Sequence, residues 1–174
     1  MANIADFKSK LAGGGARTNQ FKVTCPFPGY SQQGGEIETM AFLCKGAELP
    51  ASSVGETNIT FRGRTVKLTG ERTYADMTLT VINDTDFKIR NAMERWQNGI
   101  NNHTDNEGLT NPADYQVDMF IDQLDRNGST IKSYTLRGAY PGEVSNITLN
   151  YDTDSIEEFT VTMRYQYFES NTTT

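Results

Sequence analysis

Thr57-Asn58-Ile59-Thr60-Phe61-Arg62-Gly63-Arg64-Thr65-Val66-Lys67-Leu68-Thr69 is the stretch on which the fold turns. Ile59, Phe61, Val66 and Leu68 point one way, while Asn58, Thr60, Arg62, Lys67 and Thr69 point the other, the two halves folding about Gly63. Successive side chains on a strand alternate between faces, so this is a β-hairpin with one apolar and one wet face.

The same period of two extends outward in both directions. Upstream, Phe21, Val23 and Cys25 alternate with Gln20, Lys22 and Thr24, and a second strand is expected over Glu36 to Lys45. Pro26 to Gly35 reads as a loop, and Leu49-Pro50-Ala51-Ser52-Ser53 interrupts the second strand, because proline cannot donate to a ladder. Downstream, Thr73 to Ile82 keeps the strand register through Met77, Leu79 and Val81. Tyr115 to Asp125 and Thr130 to Arg137 flank Asn127-Gly128, the strongest short hairpin signal in the chain. Tyr140-Pro141-Gly142 is expected to turn, and Val144 to Asp152 with Ile156 to Phe168 to form a last strand pair. Phe159, Val161, Met163, Tyr165 and Tyr167 alternate strictly along it.

The period changes once with a clear stripe. Ile89, Met93, Trp96 and Ile100 fall at i, i+4, i+7 and i+11, one face of a helix capped by Asn83 or Asp84 and ended at Gly99. A short helix is expected over residues 4–12, broken by Gly13-Gly14-Gly15. The expectation is a mainly β, α+β chain: a sandwich or small barrel with one flanking helix, whose core face is Ile89, Met93 and Trp96. Its organisation reads as a flexible arm over residues 1–15, one domain over 16–169 and a frayed tail over 170–174.

Size and charge narrow the function. At 174 residues one domain buries about 70% of its unfolded surface and needs no staples. The net charge of −6, with no block of Lys and Arg, disfavours tight nucleic-acid binding. Met1 to Lys10 carries Asp6, Lys8 and Lys10 instead of a signal-peptide core, and no apolar run approaches the ~20 residues of a membrane span. The expected place of synthesis is the cytoplasm. Cys25 and Cys44 read as small buried thiols, with a disulfide between them left open.

Signals for catalysis are weak. His103, the only histidine, sits in a polar loop without a partner at metal-ligand spacing, and no Gly-x-Ser-x-Gly elbow accompanies it. Gly13-Gly14-Gly15 lacks the Gly-Lys-Ser/Thr of a phosphate cradle. Asp105-Asn106-Glu107-Gly108 and Asp152-Thr153-Asp154 do not follow a twelve-residue calcium loop. Asp122 with Asp125, and Glu157 with Glu158, lie an odd number of positions apart and face opposite ways on a strand. The expectation is a protein without enzyme activity, cofactor or metal.

The β geometry is more informative. A two-stranded hairpin is marginal alone, and its free edges invite pairing. Hairpins from several subunits closed into one barrel lose those edges, with polar residues inside and apolar ones outside.

Several motifs follow one another along the chain: Ala16-Arg17-Thr18-Asn19-Gln20-Phe21-Lys22-Val23, Phe42-Leu43-Cys44-Lys45-Gly46-Ala47-Glu48-Leu49-Pro50 and the hairpin. They continue through Gly70-Glu71-Arg72-Thr73-Tyr74-Ala75-Asp76-Met77-Thr78-Leu79-Thr80-Val81, Asn83-Asp84, Trp96-Gln97, Gly138-Ala139-Tyr140-Pro141 and Phe159-Thr160-Val161. Read in this order, over residues 16–168, the chain resembles the tail tube proteins of contractile-tailed bacteriophages.

That resemblance implies a subunit that forms six-membered rings stacked into a tube inside a contractile sheath. DNA would pass through the lumen without specific binding, and sheath, baseplate and terminator proteins would be partners. It implies a virion component assembled in the host cytoplasm, with no membrane role. The hairpin residues Asn58, Ile59, Thr60, Phe61, Arg62, Arg64, Val66, Lys67 and Leu68 would line the lumen and join subunits. Leu49, Pro50, Val54 and Glu56, with Glu71 and Arg72, are candidates for contacts between rings, as is the N-terminal arm. The loops at 26–35 and 101–114 are longer than such a core needs and are candidates for decoration or sheath contact. The acidic total implies a negative lumen that repels phosphates, with Arg62, Arg64 and Lys67 pairing across subunits, for instance with Glu56 or Glu71. Alternatives are the tube of a tailocin or a type VI secretion device, and a carbohydrate- or receptor-binding β-sandwich with loop aromatics such as Phe27 and Tyr30.

Overall fold

The alternating segments close into a seven-stranded antiparallel sheet bent over one core, and a separate two-stranded hairpin. The computed structural model describes residues 3–11 and 14–173, so the expected break at Gly13 lies outside the described residues. Along the chain run α1 (Ile4–Lys10), β1 (Phe21–Thr24), α2 (Glu36–Leu43), β2 (Cys44–Ala47), β3 (Ser52–Phe61), β4 (Arg64–Tyr74) and β5 (Met77–Ile82). Then come α3 (Lys88–Ile100), α4 (Pro112–Tyr115), β6 (Val117–Leu124), β7 (Thr130–Val144), β8 (Glu158–Arg164) and β9 (Tyr167–Ser170). The architecture is mainly β, as expected, with α2 joining α3 against the sheet.

The large sheet has the order β1-β6-β7-β8-β5-β2, with β9 also on β7. β7 belongs to both halves of it. Thr130 to Ala139 pairs with β6, and Tyr134 to Arg137 also pairs with β9 on the other side; from Tyr140 to Val144 the partner is β8. Gly138 takes φ +64° next to this exchange, a conformation an L side chain resists. Tyr140-Pro141-Gly142 is therefore not a turn. The ladder register is irregular between Pro141 and Glu143, where a residue without an N–H is tolerated.

Three further expectations are corrected. Glu36 to Leu43 is helical because Glu36 accepts hydrogen bonds from the backbone N–H groups of Gln33 (2.6 Å) and Gly34 (2.8 Å), fixing a helix start after Gly35. Met40 and Cys44 then stack into the core at i and i+4, and only Cys44 to Ala47 is strand. Residues 145–157 are loop, because β8 has β5 on one edge and β7, which ends at Val144, on the other, so the expected strand Val144–Asp152 keeps only its first residue in the ladder. The run from Phe159 to Tyr167 is two strands: β8 ends at Arg164, and β9 starts at Tyr167 on the other half of β7. The tail is correspondingly not frayed through Thr173. Ser170 is buried, its N–H donates to Thr173 Oγ1 at 2.8 Å, and Lys132 Nζ donates to Thr172 Oγ1 at 2.6 Å.

The core lies between the sheet halves and under α3. Leu79, Val81, Phe159 and Val161 come from one half, and Met119, Ile121 and Leu136 from the other. Ile89, Met93 and Trp96 are buried as the helical period predicts. Trp96 Nε1 donates to the Tyr115 carbonyl at 2.7 Å, and Phe27 meets the indole edge-on at 5.7 Å. α3 begins at Lys88, later than expected, with Asp84 Oδ1 accepting from the Lys88 N–H at 2.9 Å. It runs through Gly99, where a Cβ would collide with Cε2 of the Tyr30 ring. That glycine makes room for the Tyr30 ring, whose hydroxyl donates to the Trp96 carbonyl at 3.2 Å. The loop aromatics Phe27 and Tyr30 thus serve the core helix. Cys25 and Cys44 are free and buried.

Candidate functional site

The hairpin β3–β4 departs from the rest of the fold in having, among the described residues, no ladder partner outside itself. Its nine backbone pairings run from Ser52 with Tyr74 to Phe61 with Arg64. The strands are longer than expected: pairing begins at Ser52, so most of the segment from Leu49 to Thr57 is strand and the irregular piece ends at Ala51. Arg62 and Gly63 form the two-residue tip, both with positive φ (48° and 82°), the twist that two-residue hairpins require. Arg62 stacks its guanidinium over Phe61, 5.3 Å from the ring centre.

The register assigns the faces. Thr57 pairs with Leu68, Ile59 with Val66 and Phe61 with Arg64, so the four apolar side chains share one face. Ile59, Phe61, Val66 and Leu68 are 51, 64, 46 and 49% exposed, an apolar stripe left open by the described residues. Asn58 pairs with Lys67, Thr60 with Thr65 and Glu56 with Thr69 on the polar face. Lys67 Nζ sits 3.1 Å from Glu56 Oε2, an ion pair within one subunit. Arg64 shares the face of Phe61, apart from Lys67. Among the described residues Arg62, Arg64, Glu71 and Arg72 form no ion pair, and Val54 stands opposite Arg72. Leu49 is exposed and Pro50 half-buried just before the hairpin.

Two features of the hairpin have no equivalent in the sequence reading. Between Val54–Arg72 and Glu56–Thr69 β4 carries an extra residue, and Gly55 and Gly70 face each other across the irregularity. At the root Tyr74 packs edge-on against Phe168 at 5.6 Å and lies 6.3 Å from the Tyr165 ring, while the Ala75 N–H donates to the Ala51 carbonyl. The strict alternation of Tyr165 and Tyr167 marks this region in the sequence but assigns the rings to the wrong strand.

The positions weighed for chemistry stay apart. His103 is exposed in the loop after α3, and among the described residues no three His, Cys, Asp or Glu side chains are grouped to hold a metal. Burial pushes the thiols up, Cys25 to about 12, with nearby Cys44 adding to it, and Cys44 to about 11. These are inert core groups at neutral pH. No helix among the described residues is long and apolar enough to cross a membrane.

Comparison with known proteins places this geometry. The family model for phage tail tube proteins matches residues 16–171. The tail tube protein of Serratia phage KSP90 is 29% identical over 168 residues, covering 95% of each chain. Tail tube protein gp19 of Enterobacteria phage T4 is 29% identical over 160 residues, covering 91% of this chain and 93% of its own. In fold, the chain resembles one in the sheath–tube complex of the extracellular contractile injection system PVC, with TM-score 0.60 at 13% identity, covering 94% of this chain and 96% of that one.

Proposed function

This chain belongs to the phage tail tube protein family, and from that premise we propose that copies of it close their β3–β4 hairpins into a shared barrel, the rings stacking into the inner tube of a contractile tail. The observation that carries this reading is the hairpin itself: ordered, ladder-paired only within itself, apolar on one exposed face and open at both edges. A lone hairpin of this kind is marginal in water, and its open edges are pairing sites. Barrel closure satisfies the edges and buries the apolar stripe against the next copy.

On this reading the polar face of the hairpin lines a conduit through which DNA leaves the particle without specific binding. The ring is hexameric, assembly takes place in the host cytoplasm, and sheath, baseplate and terminator proteins contact the outer surface and the ends. Leu49, Pro50 and Val54, with Glu71 and Arg72, meet the adjacent ring, as residues around the hairpin's root half that are exposed apart from the half-buried Pro50. Glu56 is the exception, since Lys67 of the same subunit already engages it. The loops at 26–35 and 101–114 face outward.

Negative-stain electron microscopy of the purified chain at high concentration, with sedimentation velocity, tests the proposal. Rings or straight hollow tubes are the expected result. A chain that stays monomeric at every concentration, and also when offered pre-formed baseplates, overturns it.

A further inference from the structure

We infer that the N-terminal helix α1 of one copy docks in a groove between α2 and β1 of another copy; the inference rests on the tube reading above and names the surface that receives the arm. A helix of 7 residues is marginal in water unless it buries a face. Yet no residue of α1 is buried. At about 3.6 residues per turn, Ile4, Phe7 and Leu11 fall within about 60° of one another, with Lys10 on one border and Lys8 on the other. All three apolar side chains are exposed. Their spacing of i, i+3 and i+7 is that of the anchors with which an amphipathic helix enters an apolar groove.

Such a groove is present. The seven-stranded sheet ends at β1, and α2 packs beside that edge strand. Between them lies a groove of about 760 Å³, with Phe21 and Leu124 on the sheet wall and Ile37, Ala41 and Phe42 on the helix wall. Phe42 is 79% exposed, so the wall it belongs to is left open by the described residues. Of the charges on the walls, Glu36 is already engaged by Arg95 at 3.5 Å. Glu38 suits one of the arm's lysines and Lys22 suits neither, so the apolar fit, and not charge, carries the docking. The arm is led away from the groove of its own copy. Gln123 Nε2 donates to the carbonyls of Arg17 at 2.6 Å and Gln20 at 2.7 Å, which fastens the arm's root to β6, and Gly14 lies by Arg126 in the turn after that strand. From Arg17 to Leu11 the chain spans at most about 20 Å, a reach suited to an adjoining copy.

Full-length chain carrying p-benzoylphenylalanine in place of Phe7 is co-assembled into tubes with a large excess of heavy-isotope-labelled wild-type chain, irradiated, and its crosslinked peptides are mapped by mass spectrometry. The expected crosslinks join residue 7 to labelled peptides from 36–42 or 21–24, the two walls of the groove. Crosslinks to unlabelled groove peptides alone place the arm in its own groove and overturn the docking between copies, as do crosslinks confined to other surfaces or none at all. A second measurement reads the same contact through assembly. Phe7 and Phe42 are 65 and 79% exposed in their own chain, so Phe7→Asp and Phe42→Asp leave the monomer folded. Each raises the lowest concentration at which tubes form about tenfold, and F7D/F42D raises it no further, because both changes remove one contact. Unchanged thresholds, or losses that multiply in the double variant, overturn the docking alone. Failure of the wild-type chain to form tubes overturns the tube reading beneath it.

Discussion

Gly55 and Gly70 approach each other across the hairpin so closely that a Cβ built on Gly70 would stand 3.1 Å from the Gly55 carbonyl carbon. The extra residue that β4 carries at this point bends and twists the ribbon, and such a bend is what curvature into a closed barrel needs. Gly70→Val forces the two backbones apart. The expected outcome is a monomer whose melting curve matches wild type, because the core lies elsewhere, and which forms few or no tubes by electron microscopy.

The apolar stripe predicts a separation between folding and assembly. Phe61→Asp changes a side chain that is 64% exposed and touches no core residue, so its effect on monomer stability should stay within about 0.5 kcal/mol. Circular dichroism should be unchanged while size-exclusion chromatography shows loss of all oligomers. Arg62→Glu reverses the charge at the tip and should give the same pattern. Normal tubes from both variants would remove the hairpin from the assembly surface.

Trp96 predicts the opposite separation. Its indole N–H satisfies the buried end of the Tyr115 carbonyl at 2.7 Å. Trp96→Phe keeps much of the ring but leaves that acceptor unpaired, a loss of about 1–3 kcal/mol in urea unfolding. Variant that remains folded at low temperature should still assemble, because α3 lies away from the hairpin's ladder.

Alkaline pH should destabilise the monomer in a defined window. In the unfolded chain the thiols of Cys25 and Cys44 ionise near 9.0, whereas burial raises them to about 12 and about 11 in the fold. Between these limits the native state holds protons that the unfolded state has lost, so stability is fully present below pH 9 and declines as pH rises through the folded values. The urea midpoint should fall between pH 8 and pH 10.5, and Cys25→Ala should flatten that fall whatever its effect at pH 8. Native thiols should also resist iodoacetamide at pH 8 and react fully in urea.

Much of this was legible in the chain because period-2 alternation reports which face is buried. Val23, Leu79, Val81, Phe159 and Val161 needed no other signal, nor did the stripe of Ile89, Met93 and Trp96. Where two periods fit the same residues the reading failed: Ile37, Met40, Ala41 and Leu43 suit a strand or a helix, and the deciding hydrogen bonds from Gln33 and Gly34 to Glu36 are a tertiary fact about a turn. Tyr140-Pro141-Gly142 reads locally as a turn, and only the exchange of partners along β7 shows why a strand passes through it. In the hairpin the faces were readable, but the pairing of Lys67 with Glu56 depends on a register offset that spacing does not encode.

The long strand β7 also bears on how a tube made of such subunits would carry load. Two sheets joined by a loop can hinge. Here one continuous backbone of 15 residues runs through both halves, paired along its length, and β9, which it holds, presents Phe168 to Tyr74 at the hairpin root. A thrust applied to the hairpin therefore passes by ring contact into β9, by ladder into β7, and from there into both halves at once. Each subunit of such a tube would act as a braced strut, its load shared between both halves of the sheet by a strand that is not itself part of the hairpin.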